Sequence, residues 1–512
     1  MHRSYPKTIL AMTLTSSIAL VACGDDEGDT GADAGVTTDG GTTTLSLQEQ
    51  AVASGQVDLI DGTGITVDAN TLAVSGVSRT APTTTLPSGM VAADYFGAVN
   101  PTSTTAWWQG WTAIDSDFDG NLPGADFHPL QAEIMAGTLA PASTNACATV
   151  NSAFTDGGSV TVFGASFPVC VISGDITTDT TLVNSHVFVL DGTVSVGDGG
   201  AMGATNPSSV TLTIPAGTQI YAAENMADGA SLVATRGSKI NAQGTAAMPI
   251  IMASVAYDSG SGVTGDPTDL SSRGLWGGLI LSGMGETNKG SDVGSEASPP
   301  SNTRYFGGTN NADSSGSLEY VIIAETGFAF VADGEVQGLT IEAAGSGTKI
   351  DYIQIIGSDD DCVEWFGGAA SASHLVCVGV NDDALDIDLG YVGNIQFVLV
   401  RIGANNGERG IESDNSGSNF DQTPVSKPNI ANLTVLGNSG RANASTTGAL
   451  HREGFAGKVY RSVFTDDTVA GAVFENGCLD IDDVVPADLG HYDSVFNCSG
   501  AMANGLARSD DD

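Results

Sequence analysis

The sequence predicts an all-β fold, a right-handed parallel β-helix solenoid with an N-terminal capping region. Three observations predict it. First, the stretch 339–417 alternates β-rich runs (IDYIQII, HLVCVGV, IQFVLVRI) with acidic turns. Second, the turns DDDCVEWFG, NDDALDIDLG and ERGIESDNS superpose. This places Glu364, Asp386 and Glu412 in one column, 22 and 26 residues apart, and Asp388 and Asp414 in a second. Third, Val363, Leu385 and Ile411 alternate with those acids, as do Trp365 and Ile387. Neighbouring strand residues face opposite sides, so the apolar set lines an interior and the carboxylates an outer face. A repeat of a few short strands is a solenoid signature, with coils stacked about 4.8 Å apart.

Residues 1–22 read as a lipoprotein signal peptide. Arg3 and Lys7 begin it, Ile9 to Val21 form its apolar core, and Leu20-Val21-Ala22-Cys23 matches the lipobox pattern. That pattern implies cleavage before Cys23 and lipidation of its thiol, palmitate included. Gly24 stands where an aspartate would retain such a protein on the inner membrane, so the expected location is the cell outer membrane. Residues 23–45 are Gly, Asp and Thr with almost nothing apolar. They cannot bury enough surface to offset their ordering entropy and read as an acidic flexible tether. Acid-rich runs after a lipid-bearing cysteine resemble surface-export signals, so surface exposure is expected.

The chain carries 17 Lys+Arg against 60 Asp+Glu, a formal net charge of −43. Signal cleavage removes two more positive charges. Such a chain repels nucleic acid and anionic lipid heads and favours divalent cations, cationic partners or neutral glycans. A saline habitat or a need for solubility explains the acidity equally well. Beyond the signal, no run reaches the roughly 18 apolar residues of a membrane helix.

Of seven cysteines, one is the lipid-bearing Cys23 and six remain for an oxidising compartment. A solenoid mostly contacts its own neighbouring coils, so the expected pairs are sequence neighbours: Cys147–Cys170, Cys362–Cys377 and Cys478–Cys498.

Residues 46–168 are less periodic and form the expected capping region. A solenoid end exposes an unpaired coil that needs a cover. Trp107, Trp108 and Trp111 suit that role, and a sugar-stacking platform is their functional alternative. Asp115, Asp117, Asp119, Gly120, Leu122 and Asp126 then fit a twelve-residue calcium loop. Aspartate at the last position and Pro123 inside both depart from the usual pattern.

Coils are expected over 169–500, followed by an acidic tail, 501–512. At LTIPAGT, ATRGSKINAQGTA, GLWGGLILSG, VEWFGG, DDALDIDLGY and GIESDN the chain resembles a group of bacterial secreted β-helix lipoproteins. The resemblance covers about Val169 to Gly477 and implies the pectin-lyase-like fold. Most members have no assigned activity, so it implies no catalytic residues. Two polar insertions, Met284 to Gly316 and Asn415 to Pro428, interrupt the coils, and insertions of this kind leave a solenoid on one face.

Carboxylates one coil apart repel by about 0.9 kcal/mol in bulk water and about 3.5 kcal/mol at an effective dielectric of 20. Something must neutralise the ladder. Arg409 aligns with Asp361 and Asp383 and reads as an internal counter-ion. Calcium is the other candidate, with Glu364, Asp386, Asp388, Glu412 and Asp414 as ligands. A solvated acidic stripe is the plainer alternative. Catalysis needs acid, base and cleft. Asp382 with Asp383, and Asp360 with Asp361, supply adjacent pairs, while Arg409 and His451 are candidate bases. The ordered motifs of a polygalacturonase are absent. The expectation is a lipid-anchored, non-catalytic surface β-helix, calcium-stabilised and presenting a face to a glycan, polymer or partner protein. The alternative is a calcium-dependent polysaccharide lyase or glycoside hydrolase on the same scaffold.

Overall fold

The computed structural model describes residues 46–113, 129–204, 206–223, 229–254, 273–299, 302–330, 334, 336–402, 407–437, 446–466, 474, 477–483 and 485–498. The signal, tether and acidic tail lie outside the described residues.

The coils are those of a parallel β-helix. Seven short strands, Val194–Val196, Ser231–Ala234, Gly278–Ser282, Leu339–Glu342, Val363–Phe366, Leu385–Asp388 and Glu412–Ser413, stack in parallel as one sheet. Long strands follow in the middle coils, such as Gly316–Thr326, Lys349–Ser358, Ser371–Val378 and Asn394–Arg401. Each bends midway and so covers two faces. The bend is a residue in the left-handed region: Tyr320 (φ 50°), Tyr352 (φ 54°), His374 (φ 52°) and Phe397 (φ 60°). Such conformations are uncommon outside glycine. Stacking offsets their cost here, since Tyr352 lies between Tyr320 at 4.4 Å and His374 at 4.2 Å, and His374 meets Phe397 at 4.9 Å.

Inside the solenoid, like residues stack on like. Leu281, Ile341, Trp365, Ile387 and Ser413 form one inward column, and Trp365 stacks on Tyr391 at 5.5 Å. The three disulfides are Cys147–Cys170, Cys362–Cys377 and Cys478–Cys498, the sequence-neighbour pairs.

The N-terminal region takes a different course from the expected end cap. A capping box between Ser46 and Glu49 starts the helix Leu47–Ala53. The strand Val57–Asp61 then pairs in parallel with Gly490–Asn497, the last coil. From there the chain runs back along the flank of the solenoid. Thr83 and Thr84 donate to Asp493, Val91 to Gln396, Ala98 to Thr434 and Ala113 to Gln354. A hairpin, Thr155–Val162 with Ala165–Ile172, joins the strap to the first coil at Val187–Leu190.

The tryptophans belong to this flank, not to an end. Trp108 and Trp111 are buried to 0% and 1% exposure among Ile322, Ile356, Val376 and Leu399. The reason is physical. That sheet is apolar on both faces, and a parallel sheet of this kind needs cover on both.

Candidate cation site on the carboxylate ladder

The strands Val363–Phe366, Leu385–Asp388 and Glu412–Ser413 hold Glu364 beside Asp386 and Asp386 beside Glu412 in parallel register. This is the column the sequence predicts. Phe366 pairs with Asp388 one step on, and the N–H of Arg452 donates to Ser413 O, which sets Arg452 above Asp414.

The carboxylates point away from the lumen, as alternation requires, yet they do not form a solvated stripe. Glu364, Glu412 and Asp414 are buried, at 5–6% exposure. The insertion 284–316 lies over them. Its Ala297 packs on Val233, Ile280 and Val336, and its Phe306 on Ala343, Phe366 and Leu389. Arg236 of the coils fastens it by pairing with Asp292 at 2.7 Å, and Arg304 ties the insertion to itself by donating to Ala297 O. The second insertion joins the first, with Asn288 Nδ2 donating to Asn415 O at 2.6 Å and Gln422 Nε2 to Asn288 O at 3.0 Å.

Two arginines neutralise one end of the cluster. Arg409 Nη1 meets Glu412 at 2.5 Å, Asp383 at 3.3 Å and Glu408 at 3.6 Å. Arg452 meets Glu412 at 2.6 Å and Asp414 at 2.9 Å. Burial alone would raise Glu412, but Arg409, a hydrogen bond from Asp383 and Arg452 hold its carboxyl below the usual range. Asp383 is pushed well up by burial despite Arg409, so it keeps the proton that Glu412 gives up. Glu412 and Asp414, two of the expected ligands, are thus engaged by arginine.

The other end is left to carboxylates. Asp361, Glu364 and Asp386 bring one oxygen each within 4.8 Å of one another, as do Asp360, Asp361 and Asp382. Asp361 and Glu364 are buried, whereas Asp360 and Asp382 are half-exposed and form the mouth. Burial, followed by Asp360 and Asp386, pushes Asp361 well above the ordinary value. Burial and then Glu296 and Asp386 do the same to Glu364, and burial with Glu412 and Asp414 to Asp386. The donor set is all oxygen and all acidic, which suits a hard divalent cation.

Sequence reasoning missed Glu296. It reaches the cluster from the first insertion, tied through Gln337 Nε2, which donates to Glu296 at 3.2 Å and to Asp360 at 3.1 Å. An aperiodic loop carries no signal for such a contact. Asp360, Asp361 and Asp382 were visible as catalytic pairs; the structure gathers them as converging donors instead.

His451 does not join this group. It stacks above Ser413 in the inward column, with its Nδ1 2.6 Å from Ser413 Oγ. As a base for Asp382 and Asp383 it is on the wrong side of the strand. The loop with Asp115, Asp117, Asp119 and Asp126 lies outside the described residues, as does Cys23. The burial of Trp108 and Trp111 leaves no open ring face for a sugar, and Trp107, half-buried, packs edge-on to His374 at 5.0 Å.

No curated protein matches the chain. Among solved structures it is similar to the Streptococcus pneumoniae surface protein and adhesin PfbA, at 8% identity and a TM-score of 0.17 over 74% of this chain and 98% of that one. That likeness is too distant to transfer function. Residues 174–497 match the family model for a pectate-lyase like beta helix domain, and the chain belongs to that family.

Proposed function

We propose that the protein is a non-catalytic β-helix scaffold, lipid-anchored through Cys23 and exposed at the surface of the cell outer membrane, whose acidic ladder holds calcium. The observation that carries the reading is the convergence of Asp361, Glu364 and Asp386 within 4.8 Å. Two oxygens on opposite sides of a calcium ion, each about 2.4 Å away, stand about 4.8 Å apart. Asp360 and Asp382, both half-exposed, converge on Asp361 in the same way. Calcium would remove a repulsion that otherwise forces these acids to hold protons.

A scaffold role is supported over catalysis by what surrounds the acids. An insertion covers them, Arg409 is occupied by three carboxylates, and His451 faces the lumen. The two insertions, joined through Asn288 and Asn415, make one polar patch on the ladder side. That patch is the face offered to a glycan, polymer or partner protein. Lipid anchoring rests on the Leu20–Cys23 pattern.

Thermal melting of the metal-stripped protein, with and without calcium, tests the reading. Calcium is expected to raise the melting temperature and EDTA to reverse it. An unchanged melt removes calcium from the account. New reducing or unsaturated ends from a panel of acidic and neutral polysaccharides would show that the scaffold is an enzyme.

A further inference from the structure

His451 and His491 meet inside the lumen of the last coils, with their Nε2 atoms 2.9 Å apart. Both side chains are buried, at 1% and 0% exposure. Around them are Ser413 Oγ, the Phe455 ring stacked at 5.0 Å on His451, and Phe464 and Phe496 at 5.9 and 5.6 Å from His491. The acids on the strands flanking His451, Glu412 and Asp480, belong to the outward column and face away. Two ring nitrogens at this distance share one hydrogen bond as long as one ring stays neutral, and two protonated rings would face each other donor to donor. A further proton would set a charge in an apolar lumen against its neighbour. Burial pulls His451 down to about 3, and burial followed by His451 takes His491 well below its ordinary value.

The pair lies at the joint between the two ends of the described chain. His491 is in register with Val57, and its N–H donates to Gln56 O at 2.9 Å. Gln56 Nε2 donates to Pro486 O at 2.7 Å, and Gln48 of the helix Leu47–Ala53 donates to Asp480 at 2.5 Å. We propose that this joint is an acid-released clasp: protonation of the histidine pair detaches residues 46–61 from the last coil while the central coils stay wound.

Three carboxylates near the joint are held low and do not titrate in the same range. Burial would raise Asp493, but the N–H groups of Thr83 and Thr84 and the Arg79 guanidinium hold it at about 2. Arg79 likewise lowers Asp58, and Thr63 lowers Asp61. All three stay ionised where the histidines change. For a base held below its ordinary 6.5, opening takes up a proton as soon as the pH falls below that value. The clasp therefore weakens from there downward. The inference does not depend on calcium.

Hydrogen exchange on the full chain tests it, read as protection factors at pH 7.5 and pH 4.5. Residues 47–61 and 490–497 should lose protection by about 100-fold for each histidine that protonates on opening, with no loss at Ile353–Ile356. In His491→Gln the loss should shrink by about 100-fold. Should that variant not fold, the regional contrast in the natural chain still decides. Protection at 490–497 that stays within about threefold, or is lost equally in the central coils, overturns the clasp.

Discussion

Arg452 sits one coil beyond Asp414 and closes on both its oxygens, at 2.9 and 3.2 Å, while reaching Glu412 at 2.6 Å. The ladder therefore ends in a protein cation. At its other end, Glu364 and Asp386 stand side by side and converge with Asp361, and Arg452 offsets only part of the repulsion that neighbouring acids exert on Asp386. One column of acids is thus handled in two ways along its length.

The Arg452 end should behave as a buried ion-pair network. Arg452→Ala leaves Glu412 and Asp414 buried with fewer counter-charges, and breaking a buried pair costs about 3–5 kcal/mol. A denaturant titration should show that loss at pH 7.5. It should shrink in Arg452→Ala/Asp414→Asn, where the orphaned charge is removed.

The Glu364 end should respond in the opposite sense. In metal-stripped protein, Glu364→Gln relieves a carboxyl that burial and its neighbours keep from ionising. The variant should be more stable than the natural chain by on the order of 1 kcal/mol. With calcium the order should reverse, because a ligand has been lost. Melting curves of both proteins in EDTA and in calcium give the comparison.

Acid should stabilise the central coils of the metal-stripped chain. Asp361, Glu364, Asp382 and Asp386 have folded values raised well above the ordinary 3.8 to 4.5, each through burial first and neighbouring acids second. Their contribution is fully present below the unfolded value and is lost as pH rises through the folded one. The melting temperature should thus climb as pH falls from 8 toward 5. Saturating calcium should flatten the climb.

The flanking strap depends on its tryptophans. Trp108 is fully buried, and its Nε1 donates to Thr71 O at 3.0 Å. Trp108→Ala should cost about 3–5 kcal/mol. Limited proteolysis should then cut within 60–113 before it cuts the coils.

The coil register was readable because it is written in short, repeated spacings. Val363, Glu364 and Trp365 alternate within one strand, and the same triplet returns at Leu385, Asp386 and Ile387. The cysteine pairs were readable because neighbouring coils bring sequence neighbours together. What the sequence did not disclose depends on contacts between distant segments. Glu296 meets Glu364 across an aperiodic insertion, and Trp108 meets the middle coils through a strap that begins on the last one. No local period encodes either meeting, so the cover over the acids went unread and the tryptophans read as an end cap.

A calorimetric calcium titration of the metal-stripped chain against Glu364→Gln/Asp386→Asn bears most directly on the ladder. The natural protein should bind one calcium more than the variant, whatever the loop at 115–126 contributes to both. Equal stoichiometry and affinity in the two proteins would contradict a cation held between Asp361, Glu364 and Asp386.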